Sequence, residues 1–208
     1  MRYDAVIVAS GKGVRAGLGY NKVFYMMKDG LRVIDHSLSL FEDDKDCERI
    51  IVVTNKDYFD MVKGEKVILV EGGKERKDSV CNGLNKAESE FVLIHDGARP
   101  FLKKESLEEL KKKVSECGAA ILGRMAVDTI KEVKDGKIVR TLDRNNIFLA
   151  ETPQAFRTSL IKNCFEKCDD IVFTDDASLL ESLGHEVAIV IDKYDNPKLT
   201  KEDDFKDL

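Results

Sequence analysis

Residues 9–22, ASGKGVRAGLGYNK, form a glycine-rich stretch that directly follows a short apolar run near the start of the chain. Residues 5–28 contain no Asp or Glu, although 35% of the chain is charged. The basic residues in this window are Lys12, Arg15, Lys22 and Lys28. Glycines let backbone N–H groups approach an anion closely, and basic side chains neutralise its charge. A buried strand followed by such a loop predicts a polyphosphate-binding site in an α/β fold.

Two other interpretations of this loop remain open. Residues 11–16 fit the loose dinucleotide-binding pattern G-x-G-x-x-[GA], and Asp35 lies at a tolerable distance beyond them. Gly17 and Gly19 weaken this match, because each destabilises a helix interior by about 1 kcal/mol relative to alanine and a dinucleotide site uses a helix there. The loop could also be a surface turn with solvated basic side chains. The P-loop spacing G-x-x-x-x-G-K-[ST] does not occur in this stretch.

Composition narrows the class of protein. With 208 residues and 43% hydrophobic content, the chain is expected to form a single domain, residues 1–208, around one substantial core. A formal net charge of -5 argues against a nucleic-acid-binding protein. The sequence shows neither a long apolar run nor an export signal, so we expect a cytoplasmic protein without a membrane partner. The 5 scattered cysteines and 3 histidines favour reduced thiols over a zinc cluster.

Short apolar runs alternate with helical patterns along the chain. The predicted strands are residues 3–9, 49–54, 66–70, 90–95, 119–123 and 186–190. The predicted helices are residues 33–41, 76–87, 104–117, 159–167 and 175–183. This alternation indicates βαβ crossovers and a mostly parallel, Rossmann-like sheet flanked by helices. Ligands of such sheets bind at the carboxyl ends of the strands.

One stretch breaks the alternation. Residues 128–133 and 137–142 are β-prone and are joined by Lys134, Asp135 and Gly136, of which the Asp-Gly pair suits a tight hairpin turn. An isolated hairpin is only marginally stable in water. We therefore expect the hairpin to pair with another surface, and a second subunit is the natural candidate.

Two further loops follow predicted strands and contain candidate binding residues. In residues 71–80, EGGKERKDSV, Gly72 and Gly73 expose backbone groups that could read a nucleobase edge, and Ser79 adds a hydroxyl. The alternative is a simple turn in which Asp78 or Ser79 caps the next helix.

The second of these loops is residues 95–100, HDGARP. Asp96 could hold a ribose hydroxyl or the metal ion that accompanies a nucleotide. The alternative is an ion pair between Asp96 and Arg99 that stabilises the loop. We expect His95 to be a packed or hydrogen-bonded structural residue rather than a catalytic base.

Together these loops carry a family resemblance. The motifs are, in order, A-x-G-x-G-x-R with a lysine seven residues after the arginine, E-G-G-x-x-R-x-D-S-V, H-D-x-A-R-P, V-D-T-I-K, D-R-N, T-P-Q-A-F, T-D-D-A-S and D-N-x-K-x-T. In this order, over essentially the whole chain, they resemble the 2-C-methyl-D-erythritol 4-phosphate cytidylyltransferase family. The resemblance implies a nucleotide-diphospho-sugar transferase type of fold and a homodimer joined by a β-hairpin arm at residues 124–146.

The resemblance also implies a reaction. CTP and methylerythritol phosphate would give 4-diphosphocytidyl-2-C-methyl-D-erythritol and pyrophosphate, a step of the non-mevalonate isoprenoid pathway. A substrate phosphate would attack the α-phosphorus in line, with Mg²⁺ held mainly by the CTP phosphates. Positioned cations are what such a reaction needs, because two anions meet and charge builds on the α-phosphate.

Particular residues acquire roles from this resemblance. Arg15 and Lys22 would be catalytic, acting on the α-phosphate and the transition state. The nucleotide-binding residues would be Ala9, Ser10, Gly11, Gly13, Gly72, Gly73, Ser79 and Asp96. The acceptor-binding residues would be Arg144, Thr174, Asp175, Asp195 and Lys198, with Arg144 coming from the partner subunit's arm. The protein ligands of the metal stay unassigned.

Simpler roles remain open for three of these acceptor residues. Arg144 could be a solvated end of the hairpin, and Thr174 could be the N-cap of a helix that begins at Asp175. Asp195 could orient Lys198 or assist the metal.

Two residues beside Lys22 depart from the family pattern. Asn21 and Val23 stand where the family usually has a proline and a glutamine, and we expect them to change the rigidity of the loop more than its charge. One alternative within the class is a ribitol 5-phosphate cytidylyltransferase, although the acceptor motifs look more like the methylerythritol enzyme. An alternative from another class is a non-catalytic, nucleotide-binding dimeric protein. The presence of both Arg15 and Lys22 argues against it.

Overall fold

The computed structural model describes residues 1–11, 13, 16–168, 171–206 and 208. Its strands are β1 (Tyr3–Val8), β2 (Cys47–Thr54), β3 (Val67–Glu71), β4 (Phe91–Asp96), β5 (Ala119–Met125), β6 (Lys131–Lys134), β7 (Lys137–Thr141), β8 (Phe148–Arg157) and β9 (Ala188–Ile191). Within the described residues, a 7-stranded sheet has the order β3-β2-β1-β4-β8-β5-β9, and β6 and β7 form a separate pair. The expectation of a mostly parallel, Rossmann-like sheet is confirmed.

The helices flank this sheet. They are α1 (Val33–Asp43), α2 (Arg76–Leu84), α3 (Lys104–Cys117), α4 (Thr158–Phe165) and α5 (Asp176–Ser182). Short 3-10 helices cover Lys22–Phe24, Lys56–Met61, Arg144–Asn146 and Glu202–Phe205. Each helix predicted from the 3.6-residue spacing is present, with ends displaced by up to a few residues.

Strand β8 was not predicted from the sequence pattern. It runs antiparallel to both of its neighbours, β4 and β5, in the middle of the sheet. Pro153 lies inside it, and a proline within an apolar run argues against a central strand because it lacks a backbone N–H. The strand is buried over residues 151–156, so packing on both faces overrides that local preference.

The two faces of the sheet bury separate hydrophobic clusters. One cluster includes Tyr3, Ile7 and Phe41 and packs against α1 and α3. The other includes Ile94 and Phe156 and packs against α2, α4 and α5. The parallel strands β1, β2 and β4 read as continuous apolar runs because both of their faces are covered.

The β6–β7 hairpin is exposed along its whole length. Asp135 and Gly136 at its turn have φ angles of 50° and 72°, the left-handed values that a tight hairpin turn requires. Within and beside the hairpin, large apolar side chains face solvent in the monomer, namely Val127, Val133, Ile138 and Val139.

The C-terminal segment crosses back over the carboxyl ends of the strands. The backbone N–H of Leu199 donates to the carbonyl of Ala98 at 2.9 Å. Phe205 is buried and its ring meets that of Tyr25 edge-on, with 5.1 Å between centroids. This path carries Lys198 to the end of β4.

Candidate active site

A cavity of about 610 Å³ opens at the carboxyl ends of β1 and β4, and we call it the larger cavity. Its wall includes the start of the glycine-rich loop, the loop after β3 and part of the C-terminal segment. Its basic lining residues are Lys22, Lys74, Arg76 and Lys198, and its acidic ones are Glu75 and Asp96. Among the described residues the lining therefore carries an excess of positive charge, which suits an anionic ligand.

A second cavity, of about 260 Å³, adjoins the first, and we call it the smaller cavity. It is lined by Arg76, Asp96, Arg99, Ala150, Glu151, Thr152, Gln154, Thr174, Asp175 and Lys198. Arg76, Asp96 and Lys198 line both cavities. These three side chains thus form the boundary between two adjoining binding spaces.

Asp96 is the centre of that boundary. It ends β4 and is 7% exposed. Its Oδ2 accepts a hydrogen bond from Lys198 Nζ at 2.6 Å, and its Oδ1 lies 3.6 Å from Arg76 Nε. Burial by itself favours the neutral acid, but the charges of Lys198 and Arg76 outweigh it and lower the pKa of Asp96 to about 2. Asp96 is therefore a carboxylate at neutral pH.

Asp96 also contacts Arg99, as the alternative interpretation of this loop expects. Arg99 Nε lies 4.0 Å from Asp96 Oδ2, which is longer than the Lys198 contact. The Arg99 guanidinium instead donates to the carbonyl of Asn196 at 2.6 Å. The Asp96–Arg99 ion pair exists but is not the main partner of the carboxylate.

Arg76 is held by a buried acid. Its Nη1 and Nη2 donate to the two carboxylate oxygens of Asp176 at 2.9 and 2.8 Å. Asp176 is 0% exposed, so its charge is compensated by this bidentate pair. Burial would lower the pKa of Arg76, but the charge of Asp176 outweighs it and raises that pKa, so the guanidinium stays charged. The pair joins the first residue of α2 to the first residue of α5.

The loop after β3 packs closely on the first loop. A Cβ added at Gly72 would lie 2.3 Å from Ser10 Cβ, and one added at Gly73 would lie 2.2 Å from Asp78 Cβ. Both glycines are therefore required by close packing, whatever else they bind. Asp78 accepts a hydrogen bond from the backbone of Glu75, the N-cap residue of α2, at 2.9 Å. Neither Asp78 nor Ser79 occupies the N-cap position itself.

Ser79 connects these two loops. Its hydroxyl lies 2.8 Å from Ser10 Oγ, accepts from the backbone N–H of Gly73 at 3.0 Å and donates to the carbonyl of Glu75 at 3.1 Å. The residue is 1% exposed. It lies directly behind the wall of the larger cavity, where it fixes Ser10 and Gly73.

His95 is structural, as expected. It is fully buried, and its ring nitrogens lie 3.1 Å from Ser37 Oγ and 3.1 Å from Thr152 Oγ1. Burial lowers the pKa of His95 to about 4, although the neighbouring Asp96 acts in the opposite direction. The imidazole is neutral at physiological pH and positions Thr152, whose hydroxyl accepts from the backbone N–H of Asp96 at 3.0 Å.

The structure brings most of the sequence-predicted site residues together. Those lining the larger cavity are Ala9, Ser10, Gly11, Lys22, Gly73, Asp96 and Lys198. Thr174 and Asp175 line the smaller cavity with Asp96 and Lys198. Gly13 has a φ of 67°, and an added Cβ there would lie 2.5 Å from the carbonyl of Tyr20. Arg15 lies outside the described residues.

Two predicted acceptor residues lie outside both cavities of this chain. Arg144 is exposed, and its Nη1 donates to the carbonyl of Val127 at 2.8 Å at the base of the hairpin. Asp195 is exposed and lies 3.4 Å from Arg124 Nη1. Lys198 is therefore oriented by Asp96 and not by Asp195.

The N-cap expected at Thr174 belongs to Asp175. The Asp175 carboxylate accepts from the backbone N–H of Ser178 at 3.0 Å and from Gln154 Nε2 at 2.7 Å. Helix α5 consequently begins at Asp176, one residue later than predicted. An aspartate caps a helix at least as well as a threonine, which is why the next residue takes the role.

Sequence reasoning gave no role to Arg76, Asp176 or Thr152. Each lies inside one of the family motifs, but its significance depends on distant partners. Arg76 and Asp176 are 100 residues apart in the chain. The sequence did contain one signal of a buried ion pair. Asp176 stands next to Ala177 on the apolar side of a helix, and a charged residue that is buried there is usually paired.

Comparison with known proteins agrees with this arrangement. Residues 3–207 match the family model described as 2-C-methyl-D-erythritol 4-phosphate cytidylyltransferase. The chain belongs to this family.

Curated relatives and solved structures carry the same description. A family member from Bacillus licheniformis is 44% identical over 99% of this chain and 93% of its own length. One from Shouchella clausii is 42% identical over 99% of this chain and 94% of its own length. The crystal structure of the Francisella tularensis member superposes with a TM-score of 0.85 at 30% identity, covering 99% of this chain and 97% of that one. The crystal structure of the Thermus thermophilus member gives a TM-score of 0.84 at 27% identity, covering 99% of this chain and 96% of that one.

In the described part of the chain, no helix is both long and apolar enough to cross a bilayer.

Proposed function

We propose that this chain transfers a cytidylyl group from CTP to 2-C-methyl-D-erythritol 4-phosphate, releasing pyrophosphate. The observation that carries the proposal is the pair of adjoining cavities, which share Lys198, Asp96 and Arg76 as their boundary. A reaction between two phosphorylated substrates needs two binding spaces that meet at a cationic point. Membership of the family supplies the identity of the substrates.

The larger cavity is proposed to bind CTP. Backbone groups of the loop that begins at Ala9 would hold the triphosphate, and Lys22, which lines this cavity, would contact the α-phosphate. Arg15 would share that task by family resemblance. Gly72, Gly73 and Ser79 would place the backbone that reads cytosine.

Asp96 is proposed to accept a hydrogen bond from a ribose hydroxyl. Its low pKa, about 2, favours this role because it keeps the side chain ionised, and either oxygen of an ionised carboxylate can accept the bond. It lines the larger cavity at the carboxyl end of β4, where ribose-binding acids of α/β folds lie.

The smaller cavity is proposed to receive the acceptor. Thr174, Asp175 and Lys198 line it, and they would bind its phosphate and hydroxyl groups. Arg144 would add a contact to the phosphate, and Asp195 would accept a hydrogen bond from a hydroxyl group of the acceptor. Because Arg144 lines neither of these cavities in its own chain, we propose that it enters the site of a partner subunit.

The chemistry would be a single in-line displacement. An oxygen of the acceptor phosphate forms a bond to the α-phosphorus of CTP, and the bond from that phosphorus to the bridging oxygen of pyrophosphate breaks. Negative charge develops on the leaving pyrophosphate and on the α-phosphate oxygens, where Lys22 would stabilise it. No covalent intermediate with the protein is needed.

A requirement for Mg²⁺ is also proposed. Among the described residues, no group of three or more His, Cys, Asp or Glu side chains could hold a metal ion. The Asp96 carboxylate already contacts Lys198 and Arg76, so these residues do not build a metal site of their own. Phosphate oxygens of CTP would be the main ligands, and the ion would neutralise part of their charge.

Residues 1–208 are proposed to form one domain that dimerises through an arm at residues 124–146. Val127, at 79% exposure, and Ile138, at 65%, present apolar surface that a monomer would leave in water. An exposed two-stranded hairpin gains stability when a second subunit covers it. A cytoplasmic location stays a prediction.

The test is pyrophosphate release from CTP and Mg²⁺ with each acceptor in turn. We expect release with methylerythritol 4-phosphate and about 100-fold slower release for Lys22→Ala, the usual scale for one transition-state cation. Lys28→Ala, an exposed lysine of the same segment, is the matched control. Release only with ribitol 5-phosphate would move the chain to that alternative, and binding of CTP without turnover would favour a non-catalytic protein.

A further inference from the structure

Asn21, the residue directly before Lys22, is polar yet only 3% exposed. Its side-chain Nδ2 donates to the carbonyl of Ala9 at 2.5 Å, and its Oδ1 accepts from the backbone N–H of Val23 at 3.3 Å. Ala9 follows the last residue of β1. One amide side chain thus ties the two ends of the glycine-rich loop to each other.

Tyr58 supports the same segment from the side. Its hydroxyl accepts a hydrogen bond from the backbone N–H of Asn21 at 3.1 Å. Its ring stacks on Phe24, with 4.3 Å between centroids and 6° between planes. The residues on both sides of Lys22 are therefore attached to one aromatic side chain.

We propose that Asn21 and Tyr58 are positioning residues that fix the backbone of Lys22 for catalysis, an inference that rests on the function proposed above. Lys22 has a long side chain, and its ammonium group can meet a developing charge only if its Cα is held in place. The glycines around it supply no such restraint. Asn21 and Tyr58 supply it through hydrogen bonds and ring stacking.

Asn21 restrains this segment by hydrogen bonds, where the family pattern has the fixed ring of a proline. Asn21 has a φ of -68°, which a proline adopts without strain. A proline here would keep that angle but would lose the N–H bound to Tyr58 and the amide bound to Ala9. Asn21→Pro therefore separates backbone rigidity from hydrogen bonding, whereas Asn21→Ala removes the side-chain bonds alone.

The experiment measures kcat and KM for CTP in Asn21→Ala, Asn21→Pro and Tyr58→Phe. We expect kcat to fall about tenfold or more in Asn21→Ala and by a smaller factor in Tyr58→Phe, which keeps the ring stack. Asn21→Pro should stay within about twofold of wild type, because the proline ring fixes the backbone angle as in the family pattern. Asn163→Ala, an exposed asparagine of α4, is the control and keeps wild-type kinetics. Wild-type kcat in Asn21→Ala would overturn the inference, since Lys22 would then need no restraint from the residue before it.

Thermal unfolding and hydrogen exchange separate positioning from general stability. We expect faster amide exchange at Val23 and Phe24 in Asn21→Ala and in Tyr58→Phe, alongside the fall in kcat. A lower Tm with unchanged kcat would overturn the inference. If Asn21→Ala does not fold, the kcat and the amide exchange of Tyr58→Phe test the inference in its place.

Lys22→Ala distinguishes this inference from the proposed function. An inactive Lys22→Ala beside an Asn21→Ala variant within about twofold of wild type would remove the positioning role and leave the proposed function intact. A fully active Lys22→Ala would contradict both, because Lys22 would then need no positioning.

Discussion

Lys198 Nζ lies 2.6 Å from Asp96 Oδ2, so an ion pair joins residues that are 102 positions apart in the chain. The contact attaches the C-terminal segment to the end of β4. Both residues line both cavities, which places the pair where the two proposed substrates would meet.

The first prediction concerns Lys198→Met. Burial favours the neutral form of Asp96, and Lys198 is the strongest of the opposing cations, so its removal should raise the pKa of Asp96. We expect the acidic limb of the kcat/KM profile to move to higher pH and activity to fall about 100-fold. Lys193→Met, which removes an exposed lysine paired with Glu109, is the control. An unmoved acidic limb would refute this prediction.

The second prediction concerns the buried pair of Arg76 and Asp176. Asp176→Asn leaves the Arg76 guanidinium with the longer contact to Asp96 alone, so we expect a loss of about 3 kcal/mol of unfolding free energy. The double variant Arg76→Met with Asp176→Leu should lose less, since it removes both charges of the pair and Asp96 keeps Lys198. Urea unfolding measures both. For comparison, Glu109→Gln at the exposed pair with Lys193 should cost less than about 1 kcal/mol.

The third prediction concerns acid stability and His95. The pKa of His95 is lowered from 6.5 to about 4 in the folded protein. Between these values the unfolded chain binds a proton that the folded chain excludes. The free energy of unfolding therefore decreases as the pH is lowered from 6.5 to about 4, and the contribution of His95 becomes constant below that pH. The loss should reach about 3 kcal/mol.

His95→Gln should flatten this slope, and unfolding curves at several pH values would show it. Asp96 loses its own stabilising contribution between its ordinary pKa of 3.8 and its folded pKa of about 2, so it overlaps the His95 window only below about pH 5, and the slope is compared above that pH. His185→Gln, at an exposed position, is the matched control. An unchanged slope in His95→Gln would mean that other groups control acid unfolding.

The fourth prediction tests whether Arg144 acts across a dimer. Lys22→Ala and Arg144→Ala should each be nearly inactive alone. Mixed after reversible dissociation, they should regain up to about one quarter of wild-type activity, because one site of each hybrid dimer combines an intact Lys22 with the partner's intact arginine. If Arg144 acts within its own chain, mixing restores nothing. Arg140→Ala, elsewhere on the exposed hairpin, is the control.

Much of the fold could be predicted from local patterns. The strands on both sides of β1 are continuous apolar runs, and the helices keep their 3.6-residue spacing, so periodicity located them. Strand β8 escaped because Pro153 argues locally against a central strand. Its place between β4 and β5 depends on pairing with both neighbours, which no single segment encodes.

The candidate site likewise has a part that could be predicted from the sequence and a part that could not. Glycines and cations close together in sequence pointed to the loop around Lys22, since one chain segment supplies a large part of the wall of the larger cavity. Arg76 was overlooked because its role follows from Asp176, a residue of a different helix. Asn21 indicated a change in loop rigidity, but its bonds to Ala9 and Tyr58 were not foreseeable from spacing.

The sequence alone thus determined the α/β class, the glycine-rich and basic character of the first loop and the family resemblance. Each of these depends on residues that lie within one short segment or on motifs in a fixed order. Tertiary structure alone decided that Lys198 neutralises Asp96, that Asp176 holds Arg76 and that Asn21 closes the loop. Those relationships join residues from separate elements, and only the folded chain sets the distances and burial on which their electrostatic and hydrogen-bond energies depend.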